Sequence, residues 1–296
     1  MISVRAVRSA AVIVAALSLT LASCSSTPPA DEVQHPTAAQ TEESLATASS
    51  PAQPPSAAGE TSTSVAETNP QQSLQKAVDL AVATFGGTAG IAVSDGAAVI
   101  SAGDDTAYPA WSTSKVPIAI AALRHDPSLT APAAAAITAS NNEAAETLWL
   151  SLPEGAADEV LAEGGAQVSM NTEKIRPEFS VFGQTAWSPS SQATFAASLP
   201  CIEGAETVLE LMGQVSSDQV YGIGQLPGAR FKGGWGPDTA GGYQVRQFGR
   251  FTGANGDVAV ALTAIPSSGQ YGDAQAMASM MATQLADKDL PAATCG

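Results

Sequence analysis

The order of periodic segments along this chain predicts an α+β domain. Two strand-like segments come first, a run of helices follows, and three strands and a last helix close the sequence. Residues 258–265, Val-Ala-Val-Ala-Leu-Thr-Ala-Ile, are apolar without a break. That is the pattern of a central strand covered on both faces. Once the N-terminal region is set aside, about 225 residues remain, enough for one large domain or two interleaved subdomains.

The elements follow in order. Residues 73–85 bring Leu74, Val78, Ala81, Val82 and Phe85 to helical spacing, and Gly86-Gly87 ends that helix. Residues 90–94 and 98–101 read as two strands joined around Asp95-Gly96, a hairpin signal. The apolar run 116–123 predicts a helix that His125-Asp126-Pro127 breaks. Residues 131–139 and 143–150 read as two more helices, with Ser140-Asn141-Asn142 between them. Residues 190–199 form another. Residues 230–235 and 242–251 read as strands ahead of 258–265, and 273–285 as a helix rich in Ala and Met.

The N-terminus reads as an export signal over 1–23. Arg5 and Arg8 precede an apolar run from Ala10 that is too short to span a bilayer comfortably. Leu21-Ala22-Ser23-Cys24 has the form of a bacterial lipobox, with Cys24 lipidated as the mature N-terminus. An ordinary cleaved signal with an incidental cysteine is the alternative. Residues 24–71 are rich in Ser, Thr, Pro, Ala and Glu and cannot bury enough apolar surface to order themselves. They read as a tether lifting the domain of residues 72–296 off the outer face of the cytoplasmic membrane. The net charge is −16, with twelve basic residues and no basic cluster. Nucleic acid is excluded on that ground, and attachment to the membrane falls to the lipid. If Cys24 carries lipid, Cys201 and Cys295 are left as one pair in an oxidising compartment, a disulfide unless they are two separate buried thiols. A monomer is expected.

Ser112-Thr113-Ser114-Lys115 carries the chemistry. A serine attacks a carbonyl only when a base takes its proton, and a lysine three residues on along a helix is within reach. That lysine serves as a base only if burial or a nearby cation lowers its pKa. Ser73-Leu74-Gln75-Lys76 repeats the spacing, so spacing alone decides nothing. What separates the two is order: Ser140-Asn141-Asn142 and then Lys232-Gly233-Gly234 follow Ser112, the sequence of motifs that marks class A β-lactamases and penicillin-binding proteins. Residues 108–116 resemble the nucleophile segment of a class A β-lactamase, and 185–199 resemble the helix that follows that family's Ω-loop.

The resemblance, over about residues 73–290, implies an antiparallel sheet flanked by terminal helices with a helical subdomain inserted. It implies Ser112 as nucleophile, Lys115 as its activator, Ser140 as a proton relay and Lys232 as a cleft cation. On its own, Ser140 reads first as a helix cap, and the order and spacing of the motifs favour the relay. Asn142 would bond the cleft lysine or a substrate amide, and Gly234 and Trp235 would line the substrate, with the Trp235 and Ser112 N–H groups as oxyanion donors. Arg246, or Arg250, could hold a substrate carboxylate as a fork or be a surface charge. No cofactor is implied. His35 and His125 are isolated, so neither a metal site nor a serine–histidine pair is expected.

Three departures weigh against efficient turnover. Gly233 stands where the family carries Thr or Ser. Arg176 takes the slot of the family's water-activating glutamate and Ser180 that of its asparagine, with Glu173 and Glu178 near but out of register. Only 28 residues separate Ser112 from Ser140, which implies a reduced helical subdomain. Two functions stand side by side: a serine hydrolase acting on β-lactam-like or peptidoglycan-like amides but poor at β-lactam hydrolysis, or a weak or inactive protein that binds peptidoglycan or an envelope partner.

Overall fold

The computed structural model describes residues 69–295. The expected signal segment, the lipidation site Cys24 and nearly all of the tether lie outside the described residues. No helix among the described residues is long and apolar enough to cross a membrane. Helix α1 runs Pro70–Phe85, three residues longer at its start than the periodicity suggests and two residues ahead of the expected domain boundary. The cause is local: the Asn69 side chain accepts the Gln71 N–H, and Pro70 suits the first helical turn. Strands β1 (Thr88–Ser94) and β2 (Val99–Gly103) form the expected hairpin. Its turn is held by Asp95, whose carboxylate accepts the N–H groups of Ala97 and Ala98.

Next come β3 (Tyr108–Pro109), a 3₁₀ turn at Trp111–Ser114, and α2 (Lys115–His125). Helices α3 (Thr130–Thr138), α4 (Asn142–Ser151) and α5 (Ala156–Glu163) follow, then β4 (Ala186–Trp187), α6 (Pro189–Ser198) and α7 (Glu206–Leu211). Strands β5 (Arg230–Pro237), β6 (Tyr243–Gly253) and β7 (Gly256–Ile265) and helix α8 (Tyr271–Thr283) complete the chain. The main sheet has the order β2-β1-β7-β6-β5 and every pairing is antiparallel. The apolar strand read from 258–265 lies within β7, at the centre of this sheet and buried along most of its length.

Alternation in β7 divides the interior into two cores. Val258, Val260, Leu262 and Ala264 face α1 and α8, whereas Ala259 and Ala261 face α6 and the inserted helices. The α6 side is closed by an aromatic trio: Trp187 and Phe195 each contact Phe248 and each other, with centroids 5.4–5.9 Å apart. The chain end after α8 is tied down. Cys201 and Cys295 form a disulfide with Cα atoms 5.9 Å apart. Beside it, the Ala293 and Thr294 N–H groups donate to the carbonyls of Asp257 and Asp95.

Candidate active site

Alternation along β5 sets the floor of the site. Phe231 and Trp235 point toward the α8 side, where Trp235 meets the Tyr271 ring at 5.8 Å. Lys232, Gly234 and Gly236 point to the opposite face, where the nucleophile turn approaches. A Cβ on Gly234 would sit 2.8 Å from the Ala110 carbonyl oxygen and 3.0 Å from the Ser112 nitrogen. A Cβ on Gly236 would lie 2.6 Å from the Trp111 indole. The two glycines let the strand backbone press against residues 110–113. Gly233 has no such duty: its Cβ would meet nothing closer than the Tyr221 hydroxyl at 3.7 Å.

The nucleophile turn is strained and supported. Trp111 has φ +50°, a left-handed conformation that costs a non-glycine residue on the order of 1–3 kcal/mol. Its indole packs edge-on against Phe179 at 5.0 Å. Beneath the turn, Thr113 Oγ1 donates to the Ala110 carbonyl and accepts from Gln192 Nε2 at 2.8 Å. Ser112 itself is half-exposed in a cleft of about 260 Å³, facing Ser140, Asn142, Trp235 and Tyr243. Glu178, Phe179 and Ser180 close another side.

Lys115 opens α2 and is 1 % exposed. Its Nζ donates to the Ser140 carbonyl at 2.6 Å and to Asn142 Oδ1 at 2.7 Å, and Ser140 Oγ lies 3.4 Å away. Lys232, fully buried, donates to Ser140 Oγ and to the Gly233 carbonyl, each at 2.9 Å. The Ser140 side chain therefore stands between two ammonium groups. It reaches them because Ser140 adopts φ +54°, while the helix cap passes to Asn141, whose side chain accepts the Ala144 N–H. Burial pulls the pKa of Lys115 down to about 7. Burial and then the positive charge of Lys115 push Lys232 well below the usual lysine range. Among the described residues no hydrogen bond joins Lys115 to the Ser112 hydroxyl; the lysine is held by Ser140 and Asn142, one residue sphere away.

The sequence motifs thus bring Ser112, Lys115, Ser140, Asn142, Lys232, Gly234 and Trp235 to one cleft. Arg246 is not there. It is fully buried and its five N–H donors are all committed: to Gln192 Oε1 from Nε and Nη2, to the carbonyls of Tyr108 and Pro109, and to that of Trp187. Burial lowers its pKa to about 9, still cationic at neutral pH. In place of the expected carboxylate fork, Arg246 is a clamp joining β3, β4 and α6 to the sheet, and through Gln192 it supports Thr113 of the nucleophile turn. Arg250 likewise binds the Ala196 and Ala197 carbonyls.

Sequence reasoning put Arg176, Glu178 and Ser180 in a loop by the cleft but gave no role to Phe179 or Gln184, which build the wall formed by 171–184. Gln184 staples this loop, accepting the Arg176 N–H at 2.7 Å and donating to the carbonyls of Arg176 and Ser180. The Arg176 guanidinium stacks over Phe179 at 4.3 Å, donates to the Pro237 carbonyl at 2.6 Å and pairs with Glu178 at 3.1 Å. A hydrogen bond from its own backbone N–H, with Arg176 as a lesser cause, holds the Glu178 carboxyl below its usual pKa. Side-chain ring faces and a loop carbonyl are tertiary partners that no local pattern announces.

The described domain is similar to solved β-lactamase structures. It superposes on a class A β-lactamase from Bacteroides cellulosilyticus DSM 14838 with TM-score 0.61 at 16 % identity, covering 73 % of this chain and 97 % of that one. The extended-spectrum β-lactamase TLA-3 gives TM-score 0.60 at 14 % identity, over 72 % and 97 % of the two chains. A β-lactamase from Sphaerobacter thermophilus DSM 20745 gives 0.57 at 20 % identity, over 72 % and 94 %. The fold is β-lactamase-like. No protein-family model and no curated protein matches the sequence. The β-lactamase-like fold explains why three motifs distant in sequence share one cleft. At this level of identity it speaks for architecture alone.

Proposed function

We propose that this chain is a lipid-anchored envelope protein whose domain is a serine acyl hydrolase working through Ser112. The observation that carries the reading is the run of hydrogen bonds from Lys232 through Ser140 to Lys115 beside a half-exposed serine in a cleft. Lys115, neutral in part near pH 7, takes the Ser112 proton, directly or through Ser140. Ser112 Oγ bonds to the carbonyl carbon of an amide or β-lactam-like donor, the bond to the leaving nitrogen breaks, and the proton passes to that nitrogen. Contacts of this kind tighten when substrate arrives, so the open Ser112–Lys115 geometry suits a resting enzyme. Release of the acyl group is slow, because the cleft carboxylate, Glu178, is held by Arg176 instead of facing a water beside Ser112.

The alternative is a protein that keeps the cleft for binding peptidoglycan or an envelope partner without turnover. The missing Ser112–Lys115 bond and the Arg176–Glu178 pair favour it. Intact-mass spectrometry after incubation with β-lactams and peptidoglycan-type peptides separates the two. The hydrolase reading expects a covalent adduct that Ser112→Ala abolishes. Binding without any adduct selects the second reading. The anchor is tested independently: the native protein should partition with membranes and Cys24→Ala should not, whereas fully soluble native protein would refute the lipobox.

A further inference from the structure

The basic side chains around the cleft are withdrawn from it. Lys115 and Lys232 are covered, and their ammonium groups bond to Ser140, Asn142 and the Gly233 carbonyl. Arg246 has no donor left, and Arg250 is bonded to carbonyls of α6. Arg176 does not line the cleft; its guanidinium lies over Phe179 and is tied to the Pro237 carbonyl and to Glu178. The charged side chain that does line the cleft is acidic: Glu178, 56 % exposed. Phe179, Trp235 and Tyr243 line the cleft beside it, with the Trp235 and Tyr243 rings turned to Tyr271 and the Phe179 ring covered by Arg176. Residues 69–295 as a whole carry 22 acidic against ten basic side chains, so the surrounding field has the same sign.

We infer that the cleft selects acyl donors that bear no anion beside the scissile carbonyl, neutral or amine-bearing esters and amides, and disfavours carboxylate-bearing ones. This rests on Ser112 as the nucleophile. A carboxylate entering the cleft sheds water and meets no free guanidinium or ammonium, while Glu178 repels it. The lysine charge is reached only through the Ser140 hydroxyl. An amine instead gains the Glu178 carboxylate, and a neutral group enters without the repulsion.

Three p-nitrophenyl esters of equal length, ending in methyl, ammonium or carboxylate, test it, with acylation of Ser112 followed by intact mass and peptide mapping. In each, Ser112 Oγ–H adds, the ester bond breaks and p-nitrophenol leaves with the proton. The methyl and ammonium donors should acylate at least about tenfold faster than the carboxylate donor. Glu178→Lys, a change at an exposed position, should accelerate the carboxylate donor and slow the ammonium donor, each by about tenfold. A carboxylate donor that labels Ser112 as fast as the methyl donor overturns the inference, as does an order that Glu178→Lys leaves unchanged. If neither these esters nor a neutral fluorophosphonate labels Ser112, the nucleophile assignment itself fails and the selectivity falls with it.

Discussion

The molecule buries cations in two places on the same side of its sheet and treats them in opposite ways. Arg246 and Arg250 on β6 point into the interior beneath α6, and Lys115 and Lys232 meet at the cleft. Neither arginine nor either lysine has a carboxylate bonded within 3.5 Å. The difference is intrinsic basicity, with acceptor supply deciding what each group does. Arg246 meets a ring of carbonyls and a glutamine oxygen that satisfies each donor, so it stays charged and acts as structure. Lys115, an amine of lower intrinsic basicity, is brought by burial to about 7, and at Lys232 the charge of Lys115 adds to burial; the two share the Ser140 hydroxyl. Burial lowers both kinds of cation by a similar amount, and the lysine's lower starting value is what brings it to neutral pH.

Substitution by methionine, similar in length, breaks the comparison most sharply. Lys115→Met should slow Ser112 acylation by roughly 10²–10⁴-fold while leaving the fold intact, read by stopped-flow labelling and circular dichroism. Equal rates in mutant and wild type would show that another group takes the proton. Arg246→Met should do the reverse. It strands the carbonyls of Tyr108, Pro109 and Trp187, and by analogy with breaking a buried ion pair should cost about 3–5 kcal/mol of stability in urea titration. An unchanged midpoint would deny the clamp.

The third outcome concerns the tail, away from both clusters. Cys295→Ser opens a covalent loop of 94-residue separation and should remove roughly 2–4 kcal/mol, lowering Tm by roughly 5–15 °C with acylation unaffected. A Tm shift confined to the reducing agent's effect on wild type would assign the same loss to the bond itself.

The smallest effect is on pH. Acylation should rise through about pH 7 as Lys115 loses its proton, falling tenfold per unit below that point. Stability should follow with the same sign. In the unfolded chain Lys115 keeps its proton up to 10.5, in the folded one only to about 7. Between those values the unfolded state binds more protons, so folding strengthens as pH rises. A flat rate profile between pH 6 and 8 would remove Lys115 from the base's role.

The elements were legible in the sequence wherever apolar periodicity was strong. The helix read from 143–150 appears as Asn142–Ser151, and the strand read from 258–265 occupies all but the start of β7. Helices α5 and α7 escaped because they are short and their apolar residues form no long stripe. The two-residue pairing of β3 with β4 joins positions 77 and 79 residues apart and has no local signature. At the site, the three ordered motifs located the lysine–serine cluster. Reading Arg246 as a ligand fork failed because strand alternation says which face a side chain takes, not which acceptors wait there. Assigning the helix cap to Asn141 and the left-handed turn to Ser140 also required the fold, since both residues favour either role.

One feature of the sheet bears on how the chain comes to be folded. Strand β1 is flanked by β2, its immediate successor, and by β7, with Thr88 opposite Ile265. The N-terminal hairpin therefore keeps one edge open until the chain has been synthesised through β7. Such distant pairing makes for a slow search. A nascent chain stopped anywhere short of β7 holds no completed sheet, and its unpaired β1 edge is a place for another chain to add. Strand β7 is thus the part whose arrival turns a string of local elements into a sheet.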